Sequence, residues 1–273
     1  MRLTNPIHEG CTSAEAGATD QIPARSRIPE LARVAGMAVS AVMVCSPMLV
    51  AARPKTPLRV FCIAAFEYLA RLRGGTLGRR RRLAIAHACD FGSLRDDYYD
   101  HRRLDAAEYR SLRSLLRRMA PEASTSRYIC LLRQAERNRP ILAASTPKVV
   151  DAVIAYRTRV LELTLQWLRE ISGLSVDSVR FNAFLGVASL TQIADDLLDW
   201  KDDQASRRPS YVTAILLDQP GVAVAVPLRA EADALLQRTV GAARQDAGAV
   251  PFAVGGVLTW AFVVLLLRLR FPR

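Results

Sequence analysis

Two short aspartate runs, each with the pattern DDxxD, are the residues of this chain best suited to chemistry. Their aspartates are Asp96, Asp97, Asp100, Asp195, Asp196 and Asp199. On a helix the positions i, i+3 and i+4 share one face, so each run predicts carboxylates crowded on one side of a helix. Like charges at that spacing destabilise a helix by roughly a few tenths of a kcal/mol per pair. The pattern therefore indicates a compensating cation.

Magnesium is the cation that this arrangement favours. It prefers oxygen ligands, and proteins usually hold it with one or two carboxylates together with substrate phosphates. Two acid runs that faced each other would hold magnesium ions around a diphosphate. We call residues 96–100 the first acid motif and residues 195–199 the second acid motif.

The charge balance points to an anionic partner. The chain has 273 residues, of which 38 are Lys or Arg and 26 are Asp or Glu, for a net charge of +12. Such a balance is typical of proteins that meet a phosphorylated substrate, an acidic membrane surface or nucleic acid. The arginines are not interleaved with aromatic residues and form no nucleic-acid-binding motif, so we expect no nucleic-acid partner.

Cysteine usage predicts a reducing compartment. The five cysteines are scattered, odd in number and contain no CxxC pair, which argues against both a disulfide framework and a zinc site. We therefore expect a cytoplasmic protein.

The elements that must position the acid motifs are predicted to be helices throughout. Residues 1–28 have no apolar periodicity and are predicted to be disordered. Residues 29–246 are expected to form one all-α domain, since no segment alternates like a strand. The predicted helices cover 58–72, 79 through the first acid motif, 105–119, 125–138, 145–173, 176–203, 211–217 and 229–244.

Two long uncharged segments lie outside these helices. Residues 34–52 are interrupted by Pro47, which favours a buried helix over a membrane span. Residues 247–267 carry no charge and precede Arg268 and Arg270. For the C-terminal segment 247–273 both a membrane anchor and a buried helix of the bundle are open.

The sequence around the acid motifs resembles a known superfamily. The run QIADDLLDWKDD, residues 192–203, resembles the second aspartate-rich motif of the trans-isoprenyl diphosphate synthases, and HACDFGSLRDDYYD, residues 87–100, is similar to their first. These enzymes belong to the class I isoprenoid, or terpenoid, synthase superfamily, with the squalene and phytoene synthases and the terpene cyclases. The resemblance implies an antiparallel helical barrel or bundle of about ten helices, with the acid motifs facing each other at a cavity mouth.

The resemblance also implies a site. Three Mg²⁺ ions would bind Asp96, Asp97, Asp100, Asp195 and Asp199, with Asp196 beside them, and would bridge to an allylic diphosphate. The substrate contacts that it implies are Arg95, Arg102, Arg103, Gln192, Lys201, Arg208 and Tyr211. By the same resemblance Phe91, one turn deeper than the first acid motif, would form the floor of the cavity.

The expected activity is magnesium-dependent ionisation of a prenyl diphosphate, by a prenyltransferase or a terpene synthase. Prenyl transfer, as chain elongation or head-to-head condensation, ranks ahead of cyclisation. The Gly-Lys-x-Arg sequence that holds a second diphosphate in the elongating enzymes is missing, so a catalytically inactive, membrane-associated helical scaffold of the same fold is the rival. The expected partners are the prenyl diphosphate, a membrane surface and a second copy of the chain in a homodimer.

Overall fold

The structure, a computed structural model, describes residues 56–101, 104–142, 148–218 and 224–271, and these form helices and connecting turns without a strand. The expectation of an all-α chain is thereby confirmed. The predicted disorder at 1–28 and the uncharged segment 34–52 lie outside the described residues. The helices are α1 Thr56–Leu72, α2 Arg79–His101, α3 Ala106–Met119, α4 Glu122–Arg137, α5 Val149–Ser172, α6 Ser178–Ala205, α7 Tyr211–Asp218, α8 Ala225–Gln245 and α9 Val250–Arg270.

Helix ends follow local side-chain chemistry. Asp105 caps α3 by accepting hydrogen bonds from the backbone N–H groups of Ala107 and Glu108, both at 2.9 Å. Gly173 ends α5 with a φ of +66°, a left-handed conformation that favours glycine. Both boundaries agree with the sequence prediction.

Successive long helices run in opposite directions between two ends of the bundle. At one end, which we call the arginine end, Arg73 donates to the Ser175 carbonyl and Arg80 to the Arg118 carbonyl. The same end holds the ion pair between Arg180 and Asp246, with N–O distances of 2.6 and 3.2 Å. From there α2, α4, α6 and α9 run to the opposite end, which we call the acid end because both acid motifs lie there.

Aromatic packing fills the core between the helices. Phe184 of α6 contacts the rings of Phe66 and Phe252 at 5.7 and 5.5 Å between centroids. Tyr128 of α4 stacks on Trp167 of α5 at 4.1 Å. Such rings contribute large buried area together with a preferred geometry. They fix α6 and α5 against their neighbours, and α6 is the helix that carries the second acid motif.

Helices α6 and α8 approach each other closely at Gly186. A Cβ added there would fall inside van der Waals contact of the Thr239 Oγ1 and 3.5 Å from the Thr239 Cβ. We expect Gly186→Ala to lower the free energy of unfolding by about 1–3 kcal/mol, because overpacking forces the helices apart. Urea unfolding followed by circular dichroism measures the change.

A second glycine provides a matched control for that substitution. Gly241 lies inside α8 and has no heavy atom within 4 Å of an added Cβ. Gly241→Ala should therefore be neutral or stabilise the protein by up to about 1 kcal/mol through helix propensity. Adding Thr239→Ala to Gly186→Ala should restore part of the lost stability; equal losses from both glycine substitutions would contradict the close approach.

The C-terminal helix α9 has two different faces. Its segment Ala247–Arg270 has a mean hydropathy of 2.3 and is long enough to cross a membrane, yet only 28% of its most apolar window is buried. The buried side chains are Phe252, Val263, Leu266 and Leu267, and they pack toward α6 and α8. One face therefore belongs to the bundle and the other faces outward.

Candidate functional site

The two acid motifs lie at the same end of the bundle on different helices, the first on α2 and the second on α6. Asp96, Asp195 and Asp199 are exposed, and Asp97 and Asp100 are half-buried. Asp196 differs from the others, because only 1% of it is accessible to solvent. The expectation that the two motifs face each other closely enough to share metal ions stays a prediction.

Asp196 is held by two groups from other helices. Its Oδ1 pairs with the Arg157 guanidinium of α5, and its Oδ2 accepts a hydrogen bond of 2.7 Å from the backbone N–H of Tyr211. Burial raises the pKa of Asp196 to about 7, although Arg157 and the Tyr211 N–H favour the charged carboxylate. Both oxygens are engaged, so Asp196 acts as an anchor for Arg157 in this conformation.

Arg157 lies in the field of both acid motifs. Burial by itself would lower the pKa of Arg157, but the negative charges of Asp196 and then Asp96 outweigh burial and raise it. The side chain is 21% exposed. The Arg157 guanidinium thus contacts the second acid motif directly and is close enough to the first to feel the charge of Asp96.

A second arginine ties the first acid motif to the same region. Arg139 pairs with Asp100 at 2.7 Å, and its guanidinium lies 5.9 Å from the centre of the Tyr156 ring. The Tyr156 hydroxyl donates to Glu136 Oε1 at 2.7 Å. Burial raises the pKa of Glu136, and the charges of Asp96 and Asp100 add to that rise while Tyr156 and Arg139 oppose it.

These contacts form a network of two clusters at the acid end, one around Arg139 and one around Arg157, which meet at the consecutive residues Tyr156 and Arg157 of α5. We call it the bridging network, and its members are Asp100, Arg139, Glu136, Tyr156, Arg157 and Asp196. It draws on α2, α4, α5 and α6 and on the turn after α4. The network places cationic and anionic groups in alternation across the acid end.

The predicted basic contacts have varied surroundings. Arg95 is buried, donates to the Tyr99 hydroxyl, and lies 5.5 and 4.8 Å from the ring centres of Tyr98 and Tyr99. Lys201 is exposed beside the Trp200 ring, at 5.7 Å. Arg95 is therefore occupied by its own helix, whereas Lys201 can reach a ligand. Arg102 and Arg103 lie outside the described residues.

Arg208 and Gln192 lie close to the second acid motif. Arg208 is half-buried and pairs with Asp203 at 3.4 Å. The Gln192 Oε1 is buried without a hydrogen-bond partner in the described part of the chain. The Arg208 guanidinium and the Gln192 side-chain oxygen are therefore polar groups that a ligand beside the second acid motif can contact.

Phe91 packs in the core. Its ring is fully buried and lies 5.3 Å from the ring of Tyr109 and 6.0 Å from that of Trp167. It thereby joins α2 to α3 and α5. Phe91 does not line the cavity between α5, α6 and α8. Its role as the floor of a product cavity stays a prediction.

A cavity of about 620 Å³ opens between α5, α6 and α8. Tyr211, whose backbone holds Asp196, forms its wall nearest the acid end. Its lining is mixed: apolar residues such as Ile154, Leu185 and Leu235 share it with polar and charged ones that include Glu162, Asn182, Glu231 and Arg238. Burial, followed by the charge of Asp196, raises the pKa of Tyr211 to about 12. The volume is within the range of about 300–1,000 Å³ typical of small-ligand sites.

The donor atoms at the acid end suit a hard cation, although they are not assembled around one. Among the residues that the structure describes, no three Asp, Glu, His or Cys side chains form a group that could hold a metal ion. Carboxylate oxygens on two helices nevertheless are the ligand type that Mg²⁺ prefers, particularly when a phosphate completes the shell. Asp195 and Asp199 on α6 and Asp96 and Asp97 on α2 would supply those oxygens.

Sequence analysis missed Arg139, Glu136, Tyr156 and Arg157. A signal existed only for Arg157, which lies four residues after Val153 and four before Leu161, on the apolar stripe of α5. A charged residue on a core-facing stripe indicates a buried partner. The partner, Asp196, is 39 residues away in the chain, and no short motif connects the two.

Comparison with protein-family models, with curated proteins and with solved structures finds no match. The resemblance therefore depends on the two acid motifs alone.

Proposed function

We propose that this protein is a magnesium-dependent class I isoprenoid synthase that ionises an allylic prenyl diphosphate. The observation that supports the proposal is that both DDxxD motifs lie at the acid end and that each pairs with an arginine there, Asp100 with Arg139 and Asp196 with Arg157. Prenyl transfer, by elongation or head-to-head condensation, is the reaction that we favour, with cyclisation as the alternative.

The residues of the chain divide into anion-binding and cation-binding groups. Arg157 and Lys201 would donate to the diphosphate, since guanidinium and ammonium groups are strong partners of phosphate oxygens. Bound Mg²⁺ would supply neutralisation of the leaving diphosphate. The aspartates Asp96, Asp97, Asp195 and Asp199 would hold it, and Asp196 would orient Arg157. Asp100 does the same for Arg139.

The hydrocarbon part of the substrate would occupy the cavity between α5, α6 and α8. Its wall begins at Tyr211, next to the carboxylate that holds Arg157. The apolar side chains Ile154, Leu185 and Leu235 would contact the prenyl chain and exclude water from it. Exclusion of water protects a reactive cation from hydrolysis.

We place this enzyme in the reducing cytoplasm. The three cysteines of the described residues, Cys62, Cys89 and Cys130, are free thiols. Within the part of the chain that the structure describes, α9 is the helix long and apolar enough to meet a membrane.

The direct test is release of inorganic diphosphate from geranyl, farnesyl or geranylgeranyl diphosphate. The purified full chain should release diphosphate with MgCl₂ and should stop when EDTA is added. Asp195→Asn and Asp96→Asn should each lower the rate by at least about 100-fold, because each removes a carboxylate that would hold the Mg²⁺ needed to neutralise the leaving diphosphate. Asp151→Asn, an exposed aspartate on α5, is the matched control and should keep the wild-type rate.

A helical scaffold without turnover is the second candidate. Arg157 and Arg139 already pair with Asp196 and Asp100, which would be sufficient for a structural role. Folded protein that releases no diphosphate from any of the three substrates, and whose thermal midpoint does not respond to Mg²⁺ with inorganic diphosphate, would favour the scaffold.

A further inference from the structure

Helix α9 carries an apolar face that the bundle leaves exposed. Its exposed large side chains are Val254, Val257, Leu258, Phe262, Leu265 and Leu269. Successive members are separated by one, three or four residues, which places them on one side of the helix. We call these six side chains the outer stripe. The buried side chains of α9 lie on the opposite side, against α6 and α8.

The outer stripe is long and narrow. It extends over residues 254–269, or about 22 Å at 1.5 Å per residue. Six side chains that are roughly half exposed present on the order of 500 Å² of apolar surface, near the upper limit of patches on soluble monomers. A standard protein interface needs about 800 Å² from each partner. A single helical ridge therefore suits a lipid surface better than a second copy of the chain.

The charges around the stripe match an anionic surface. Helix α9 contains no acidic residue, and its only charges are Arg268 and Arg270, both exposed. They lie at the acid end, where the Phe271 ring contacts Trp200 of α6 at 5.4 Å between centroids. The whole chain carries a net charge of +12. Basic residues beside an apolar helix face are typical of helices that lie in the headgroup layer of acidic membranes.

We propose that α9 lies parallel to the surface of an anionic lipid bilayer, with the outer stripe in the interfacial layer and Arg268 and Arg270 among the headgroups. The helix does not span the bilayer, because its inner face, including Val263 and Leu267, is buried by the rest of the bundle. Spanning would remove that face from α6 and α8. The protein is thus a monotopic membrane protein that rests on its side.

This placement fixes the position of the acid end relative to the membrane. What it means for substrate access rests on the proposed function. Phe271 and Trp200 bring the C-terminal end of α9 next to the helix that carries the second acid motif. The acid end is then level with the headgroups. A prenyl diphosphate, with an apolar chain and an anionic head, would reach it from the lipid surface.

Flotation of the full chain with vesicles tests the proposal. Wild-type protein should float with vesicles of phosphatidylcholine mixed with phosphatidylglycerol. The double substitution Leu258→Glu with Leu265→Glu should weaken binding by at least about tenfold, since it places two charges in the apolar layer. Ile141→Glu is the matched control, because Ile141 is 81% exposed but lies outside the stripe; it should bind as wild type does.

The arginines are tested separately. Arg268→Gln with Arg270→Gln should lower the affinity for the anionic vesicles by about tenfold or more, and should have little effect on vesicles of phosphatidylcholine alone. This variant leaves the packing of α9 untouched, so it keeps the test decisive if the glutamate variant fails to fold.

Two results would overturn the proposal. Folded glutamate variant that floats as wild type does would assign membrane binding to another part of the chain. The second result is a wild-type protein that binds no vesicles and is a dimer by light scattering. If the same substitutions convert that dimer to a monomer, the outer stripe contacts a second copy of the chain. Neither readout uses catalysis, so failure of the proposed reaction is distinguished from failure of this inference.

Discussion

Arg157→Ala is expected to lower the free energy of unfolding by about 3–5 kcal/mol at pH 8, the loss typical when one partner of a buried ion pair is removed. The physical reason is that Asp196, 1% exposed, would keep only the Tyr211 N–H as a partner. At about pH 5 the loss should be smaller, because a protonated Asp196 needs no cation. Urea unfolding at the two pH values measures both quantities.

Two further variants assign the effect to the pair. Adding Asp196→Asn to Arg157→Ala removes the buried charge and should recover most of the stability lost at pH 8, and the double-mutant cycle gives the coupling. Arg159→Ala is the matched control. Arg159 lies on the same helix, is about half exposed, and forms a long ion pair of 3.8 Å with Glu162. Exposed pairs of this kind contribute about 0–1 kcal/mol. A loss at pH 8 no larger for Arg157→Ala than for this control would contradict the structure.

The second large effect is a pH dependence carried by Asp196. Burial raises the pKa of Asp196 from its usual 3.8 to about 7 in the folded protein. The folded state therefore keeps a proton that the unfolded state has lost, so the contribution of Asp196 to stability is lost as pH rises toward and through 7. Between about pH 5 and pH 8 we expect a loss of about 2–3 kcal/mol from this group.

The comparison with Asp196→Asn isolates that contribution. Burial also raises the pKa values of Glu136 and Asp203, which act in the same direction. Burial lowers the pKa of His87, so His87 acts in the opposite direction below its unfolded value. These groups are common to both proteins and cancel in the difference. The stability of the variant should fall less steeply than that of wild type, and parallel curves from pH 5 to pH 8 would refute the assignment.

Much of the helical layout could be predicted from the sequence, because helix ends depend on local chemistry. The cap at Asp105, the stop at Gly173 and the start of α2 at Arg79 all lie where the sequence places them. The structure also places both acid motifs at one end of the bundle, whereas their convergence on shared metal ions, which the resemblance implies, stays a prediction. These features need only the residues next to them, or the alternating direction of successive helices.

The interior of the candidate site could not be predicted in the same way. Arg157 meets Asp196 across 39 residues of chain, and that pairing depends on how α5 packs against α6. The two faces of α9 likewise depend on which neighbours cover it. Its composition alone fits both a span and a buried helix, whereas the structure shows one covered side and one uncovered side.

The contacts at the arginine end constrain how the bundle can open. Arg180 donates two hydrogen bonds to the Asp246 carboxylate, and the Tyr68 hydroxyl donates to the Gly248 carbonyl at 3.1 Å. Helices α1, α6, α8 and α9 are thereby fastened together far from the acid motifs. The start of α6 is therefore held in place at the arginine end, and a movement of the second acid motif to admit a ligand would pivot about that end of α6.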